Sequence, residues 1–257
     1  MIKAVFLDFD GTIFSHRTSC IPASTITAVK KLKENKILAF LCTGRALGEM
    51  HDFDLSELKL DGWILSNGQM ILDEEKQIIY ERCMDETLKN ALVTLFNKKE
   101  MAMYLVNRDD IYLNQVTDKV RTIQSVISSG IPKVKEYQGE DLYMASAFFA
   151  NEKDEEKVIA LKDIAEITWW QEGCVDIVPK GISKTNGIDV ICERYGISKD
   201  ETLGIGDGEN DIKMLKHCAI GIAMGNSYPA LKECADYITD NIDEDGLYNA
   251  LVHYGLI

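Results

Sequence analysis

The chain lacks any apolar run long enough to cross a bilayer. Its longest, such as Ile37-Leu38-Ala39-Phe40-Leu41-Cys42, has the length of a buried strand. The N-terminus has no basic stretch followed by an apolar core and a small-residue cleavage site, so no signal peptide is expected. Positive charge is scarce: 28 Lys and Arg face 42 Asp and Glu, a formal net charge of −14. That balance argues against nucleic acid as a partner, because tracking its phosphates needs a basic surface. An acidic protein can still bind a small phosphate locally, where a metal and one or two cations meet it. The seven cysteines are odd in number, dispersed and without a C-x-x-C pair. Cys42, Cys192 and Cys218 sit in apolar runs, where reduced thiols are expected, and a cytoplasmic location follows. The four histidines, His16, His51, His217 and His253, show no ligand spacing, which argues against a zinc site or a catalytic histidine. There is no internal repeat or low-complexity tract. What remains is 257 residues of ordinary globular composition, 46% hydrophobic and 27% charged, with no membrane segment and no obligate protein partner evident.

The organisation is legible from the pattern of apolar runs. The first ~80 residues alternate strands (2–8, 37–42, 62–65) with a helix from about Pro22, whose Ile26, Val29 and Leu32 recur at helical spacing. Repeated strand–loop–helix units of this length predict a parallel sheet with right-handed crossovers. Residues 70–82 read as a hairpin turning at Asp73-Glu74-Glu75. From 83 to 180 the rhythm changes to helix, two strands, helix, strand, helix and two strands, with helices centred on 88–96, 116–128 and 155–164. This predicts an α+β unit, a small sheet covered on one face. After Lys184 the βα rhythm returns. The fold expected is α/β: a Rossmann-like parallel sheet from residues 1–82 and 181–257, with residues 83–180 inserted as an α+β domain.

Chemistry concentrates where predicted strands end. Asp8-Phe9-Asp10-Gly11-Thr12 follows the first strand, and residues two apart on an extended chain share a side, so Asp8 and Asp10 converge. Gly206-Asp207-Gly208-Glu209-Asn210-Asp211 follows a later strand, placing Asp207 and Asp211 four apart as a helix begins. The four acids make an oxygen-rich set suited to Mg²⁺. Thr43 and Gly44 follow the second strand and offer anion donors, and Lys184 offers a positive point charge for a phosphate. Singly, each has an ordinary explanation as a solvated loop or helix residue.

Together and in this order, the motifs resemble those of the haloacid dehalogenase-like (HAD) superfamily of phosphohydrolases. Within it the chain is similar to the Cof-type sugar-phosphate phosphatases, which carry a large cap between the second and third motifs. The resemblance covers essentially the whole chain. It implies Asp8 as nucleophile, Asp10 as general acid and base, and Thr43 with Gly44 as phosphate contacts, Arg45 completing a T-G-R found in many members. It places the third-motif lysine on Lys184, with Lys180 a nearby competitor. Asp207 becomes a metal ligand, Asn210 a phosphate contact and Asp211 support for the metal. The carbonyl of Asp10 would be another ligand, and the backbone N–H of Phe9 would face phosphate. The cofactor implied is Mg²⁺ and the partner a small phosphorylated metabolite. The cap would close over the cleft and recognise the leaving group; Arg108, Asp109, Trp169, Trp170 and Glu172 are candidates, although tryptophans more often pack and charges more often face solvent.

Three rivals share parts of this pattern. A phosphotransferase or mutase uses the same aspartyl phosphate, but the compact G-D-x-x-N-D lacks the expanded loop of the eukaryotic-type phosphomannomutases. A receiver-like signalling module is opposed by Asp10, by the intact fourth motif and by the insertion of ~100 residues. A pumping ATPase of the same superfamily needs membrane spans.

Overall fold

Four consecutive apolar residues, Ala4-Val5-Phe6-Leu7, form a strand buried on both faces, as a central strand of a covered parallel sheet must be. The computed structural model describes residues 1–127 and 129–257. The chain divides into two compact units: Met1–Gly44, Asp54–Glu81 and Lys184–Ile257 form the first, and Arg45–Phe53 with Arg82–Ser183 the second. In chain order the strands of the first unit are β1 (Ala4–Leu7), β2 (Leu38–Cys42), β3 (Gly62–Leu65), β4 (Met70–Asp73) and β5 (Ile78–Glu81). The second unit holds β6 (Ala102–Val106), β7 (Ile111–Leu113), β8 (Lys133–Val134), β9 (Met144–Phe148), β10 (Ala165–Gln171) and β11 (Cys174–Pro179). The chain then returns to the first with β12 (Thr202–Gly206), β13 (Ile220–Ala223) and β14 (Tyr237–Ile238).

The first unit's sheet runs β14-β13-β12-β1-β2-β3-β4-β5. It is parallel from β14 to β3, and β4 and β5 extend it as an antiparallel hairpin. The early strand β2 lies on one side of β1 and the late strand β12 on the other, in one register: Leu7 faces both Leu41 and Ile205. The strand order therefore reverses at β1, the kind of position where open α/β sheets bind ligands. Below it, Phe6, Phe40 and Ile64 pack with Ile188 and Ile191 of the helix Lys184–Tyr195 and with Met214 of the helix Ile212–His217. A Cβ on Gly187 would come within 2.4 Å of Ile64 Cγ2, so glycine is what lets that helix seat so closely on β3.

The second unit's sheet runs β10-β11-β9-β6-β7-β8, antiparallel except for the short parallel pair β7–β8. Met103, Leu105, Ala145, Ala147, Val175 and Ile177 face the helices Glu86–Lys98 and Glu152–Ile159. The alternating residues Ala102, Tyr104, Phe148 and Cys174 are covered too, by Val120 and Ile123 of the helix Asp118–Val126. The sheet is thus covered on part of both faces, not on one, because that helix carries its own apolar stripe at helical spacing. The helix expected at 155–164 lies at Glu152–Ile159. Asn151 caps it by accepting from the Lys153 N–H, and the following residues close in turns, with Ile164 N–H donating to Leu161 O. Among the described residues no helix is long and apolar enough to cross a membrane, and all seven cysteines are free, Cys42 and Cys218 buried.

Candidate active site

Parallel neighbours end at the same edge, so the loops after β1, β2, β12 and β13 lie side by side. Asp8 leaves β1 with its N–H donating to Ile205 O at 2.9 Å. Asp207 and Asp211 follow β12, and the chain tightens there into a short 3₁₀ turn over Glu209–Asp211 before the helix begins. The turn folds Asp211 backwards: one carboxylate oxygen accepts from the N–H groups of Asp207 and Gly208, both at 3.0 Å. Its other oxygen accepts from Lys184 Nζ at 2.6 Å, and Lys184 also donates to Asp8 Oδ1 at 2.5 Å. One buried cation, the first residue of its helix, therefore bridges acids from two loops.

Carboxylate oxygens of Asp8, Asp207 and Asp211 lie within 4.8 Å of one another. Burial, then the Asp211 charge, push the Asp8 carboxyl up to about 7, against the pull of Lys184. Burial and the charges of Asp8 and Asp211 push Asp207 well above the carboxylate range. Lys184 is held above the usual ammonium range; burial works against this, but Asp211 and Asp8 outweigh it. Gly11 makes the cluster possible. Its φ of +72° suits glycine, and a Cβ there would come within 2.0 Å of Asp207 Oδ2.

Asp10 adds its charge to this cluster, raising Asp8 and Asp207 further, and its Oδ1 lies 2.8 Å from Nε2 of His16. Thr43 is buried, its N–H donating to Ile64 O and its carbonyl accepting from the Asn67 N–H. Gly44 is half-buried in the same loop, and Asn210 is half-buried in the 3₁₀ turn. Phe9 is buried, stacked on Phe14 with centroids 5.5 Å apart. The direct contacts thus gather Asp8, Lys184, Asp207 and Asp211, while Thr43, Gly44, Phe9 and Asn210 sit on these and neighbouring loops.

The sequence pattern of the haloacid dehalogenase-like hydrolases matches residues 5–251. The chain belongs to that family. A Bacillus subtilis (strain 168) protein named as a phosphatase, YkrA, is 31% identical over 99% of this chain and 98% of its own. A solved structure from a phosphoryl-transfer superfamily, one in which a trigonal-bipyramidal intermediate is conserved, matches all of both chains at 34% identity and TM-score 0.92. The HAD subclass IIB sugar phosphatase BT4131 matches at 34% identity and TM-score 0.90, over 99% of this chain and 100% of its own. The chain is an enzyme of the phosphatase type within that superfamily. Members generally use Mg²⁺, and the residues present fit it: three converging carboxylates, two of them held above their ordinary range by crowding and burial, make an all-oxygen set for a hard cation.

Two residues at this edge escaped the sequence reading. Asn226, in the loop after β13, donates from Nδ2 to Gly11 O at 2.8 Å and to Asp207 Oδ2 at 3.1 Å. Its side-chain oxygen accepts from the Ile242 N–H, so it ties the first-strand loop to Asp207. A Gly-Asn pair ending a buried parallel strand is the signal that points to it. His16 is the other, and its sequence neighbours give no such signal.

The second unit holds the expected substrate-contact candidates in the following places. Arg45 lies in this unit, donating to Ser129 Oγ at 2.6 Å and Ile127 O at 3.1 Å, with its guanidinium over the Phe53 ring. Trp169 packs on Phe149 and Trp170 on Phe148, and the Glu172 carbonyl accepts from Lys119. Asp109, in the turn that also holds Arg108, donates its N–H to Asn107 Oδ1. A different polar set lies across the sheet, where Thr168, Asp176, Ser146 and Tyr104 are successive cross-strand partners. Ser146 Oγ donates to Asp176 Oδ1 at 2.7 Å, and Gln124 donates to the Tyr104 hydroxyl. Burial, with the Glu49 charge, raises Tyr104 well above the usual phenol range, so the hydroxyl stays neutral. Ser146 and Asp176 interrupt otherwise apolar strands, which is the mark they leave in the sequence.

Proposed function

We propose that this chain is a Mg²⁺-dependent phosphatase that hydrolyses a small phosphorylated metabolite, a sugar phosphate or similar phosphomonoester, through an aspartyl phosphate on Asp8. The observation that carries this reading is the buried Lys184 held between Asp8 and Asp211 beside Asp207. Asp8, Asp207, Asp211 and the Asp10 carbonyl would hold the ion, whose charge offsets the repulsion between a carboxylate and a phosphate dianion.

In the first displacement an Asp8 oxygen bonds to phosphorus while the bond to the leaving oxygen breaks, and Asp10 gives that oxygen its proton. In the second, water attacks phosphorus, Asp10 takes the water's proton, and the bond from phosphorus to Asp8 breaks to release inorganic phosphate. Lys184, Thr43, Gly44, Asn210 and the Phe9 N–H spread the charge on the transferring phosphoryl group. The second unit is the specificity element in this reading, and Tyr104, Ser146 and Asp176 are its candidates for reading hydroxyl groups.

Phosphate release is the test. A panel of hexose phosphates, pentose phosphates, nucleotides and cofactor-precursor phosphates is assayed with and without Mg²⁺, with Asp8→Asn as control. Release by the wild type that needs Mg²⁺ and vanishes in the variant supports the reading; equal turnover by Asp8→Asn sinks it. Transfer of label to a second sugar without phosphate release assigns the chain to the mutases.

A further inference from the structure

The chain beyond Asp10 turns back on itself. Gly11 N–H donates to Phe14 O at 2.9 Å, and the N–H groups of Thr12, Ile13 and Phe14 all converge on Phe9 O. Asp10 and Phe14 form an isolated bridge, and Ser15 pairs with Cys20 across the next bend. This small flap carries His16 back to Asp10. The imidazole is fixed by packing: Phe14 is stacked on the buried Phe9, and its ring meets that of His16 edge-on at 5.4 Å and 73°. Nδ1 is buried with no hydrogen-bond partner, whereas Nε2 lies 2.8 Å from Asp10 Oδ1. A carboxylate oxygen can only accept, so a contact at that distance calls for the proton on Nε2. With its proton on Nε2, the ring donates to Asp10.

From this geometry we propose that His16 is a positioning residue: it holds Oδ1 of Asp10 and so fixes the rotamer in which Oδ2 carries the proton to the leaving oxygen and from water. The inference rests on the reading of Asp10 as the proton carrier. Asp10 stands immediately before the turn that Gly11 permits, and the contact of its Oδ1 with His16 Nε2 comes from a residue held in place by aromatic packing. A short carboxylate in a loop has several rotamers, and proton transfer demands hydrogen-bond reach in one of them. His16 supplies the restraint from within six residues of chain.

The experiment compares two leaving groups. The alkyl phosphate that releases most phosphate in the panel above needs its leaving oxygen protonated; p-nitrophenyl phosphate scarcely does. In each case kcat/KM reports the first displacement. His16→Phe keeps an aromatic ring against Phe14 and removes the donor, and the side chain's 26% exposure leaves room for the change without unfolding. The expected result is a fall in kcat/KM about ten-fold larger for the alkyl than for the aryl substrate, with the melting temperature held. His16→Gln, which restores an N–H donor, recovers most of the loss. An equal fall on both substrates, or no fall on the alkyl one, overturns the proposal. Asp10→Asn distinguishes the two levels: if it loses alkyl activity while His16→Phe does not, the role of His16 falls alone. If Asp10→Asn keeps alkyl activity, the reading of Asp10 falls and takes the positioning role with it.

Discussion

The Lys184 ammonium lies 2.5 Å from Asp8 and 2.6 Å from Asp211, with none of the three side chains more than 7% exposed. A buried cation between two buried acids is worth little as a net contribution to stability, but removing it strands two like charges in the interior.

Lys184→Met is therefore expected to lower stability by about 3–5 kcal/mol at pH 8, a fall in Tm on the order of 10 °C. Phosphate release should drop at least about a hundred-fold, since the proposed mechanism loses a preorganised charge for the phosphoryl group. Thermal melts of Lys184→Met and of Asp8→Asn/Lys184→Met check the cause. The double variant should regain part of the lost Tm; if it melts lower still, charge repulsion is not the reason.

The Asp8 carboxyl is pushed up to about 7 by burial and by Asp211. Its protonated form is thus favoured by the folded, metal-free protein, a stabilisation complete below the ordinary carboxylate range and lost as pH rises through about 7. Between pH 5 and 8 (~ values set by that linkage) the metal-free Tm should decline more steeply in the wild type than in Asp8→Asn. Added Mg²⁺ should raise Tm more at the higher pH, because a cation stabilises the ionised form. Parallel melting curves for the two proteins would falsify the assignment.

Gly11→Ala places a methyl group 2.0 Å from Asp207 Oδ2 at a φ of +72°. Backbone strain costs about 1–2 kcal/mol, and the carboxylate must move. The expected readout is a rise of about ten-fold in the Mg²⁺ concentration for half-maximal phosphate release, one decade per 1.4 kcal/mol. Titration of activity against Mg²⁺ measures it; an unchanged midpoint places Asp207 outside the ion's ligands.

Asp176→Asn and Ser146→Ala alter the polar row of the second unit at its hydrogen-bonded pair. Each is expected to shift the ratio of kcat/KM between the best and second-best alkyl phosphates of the panel by about ten-fold, roughly the 1–3 kcal/mol of an unpaired buried polar group. The ratio for p-nitrophenyl phosphate with and without Mg²⁺ should stay put. Uniform loss across substrates would make the row a matter of packing.

Much of this is legible in the sequence. β1, β2 and β12 are buried on both faces, so β1 and β2 read as unbroken apolar runs and β12 as one after Thr202, and the loops after β1 and β12 announce themselves by glycine and acid. Lys184 is legible through the family resemblance, which places its lysine at the start of the returning helix, where the structure has it. Less legible was anything decided by a turn. His16 reaches Asp10 through a flap of four backbone bonds that no periodicity encodes. Two-residue strands such as β8 and β14 are too short to alternate. In the second unit Trp169 and Trp170 pack on Phe149 and Phe148, as tryptophans more often do, while Ser146 and Asp176, modest by type, face each other across neighbouring strands.

Lys184 and Asp8 are separated by 176 positions in the chain, and β1 is paired on one side by β12, which comes later still. During synthesis the first strand therefore spends most of the chain's growth as an exposed edge, its aspartate without a countercharge. Closure of that edge and neutralisation of that acid arrive together, with the last third of the molecule. The Asp8–Lys184 pair is consequently a late product of folding, and a nascent chain stopped short of the returning helix carries Asp8 and Asp10 without that countercharge.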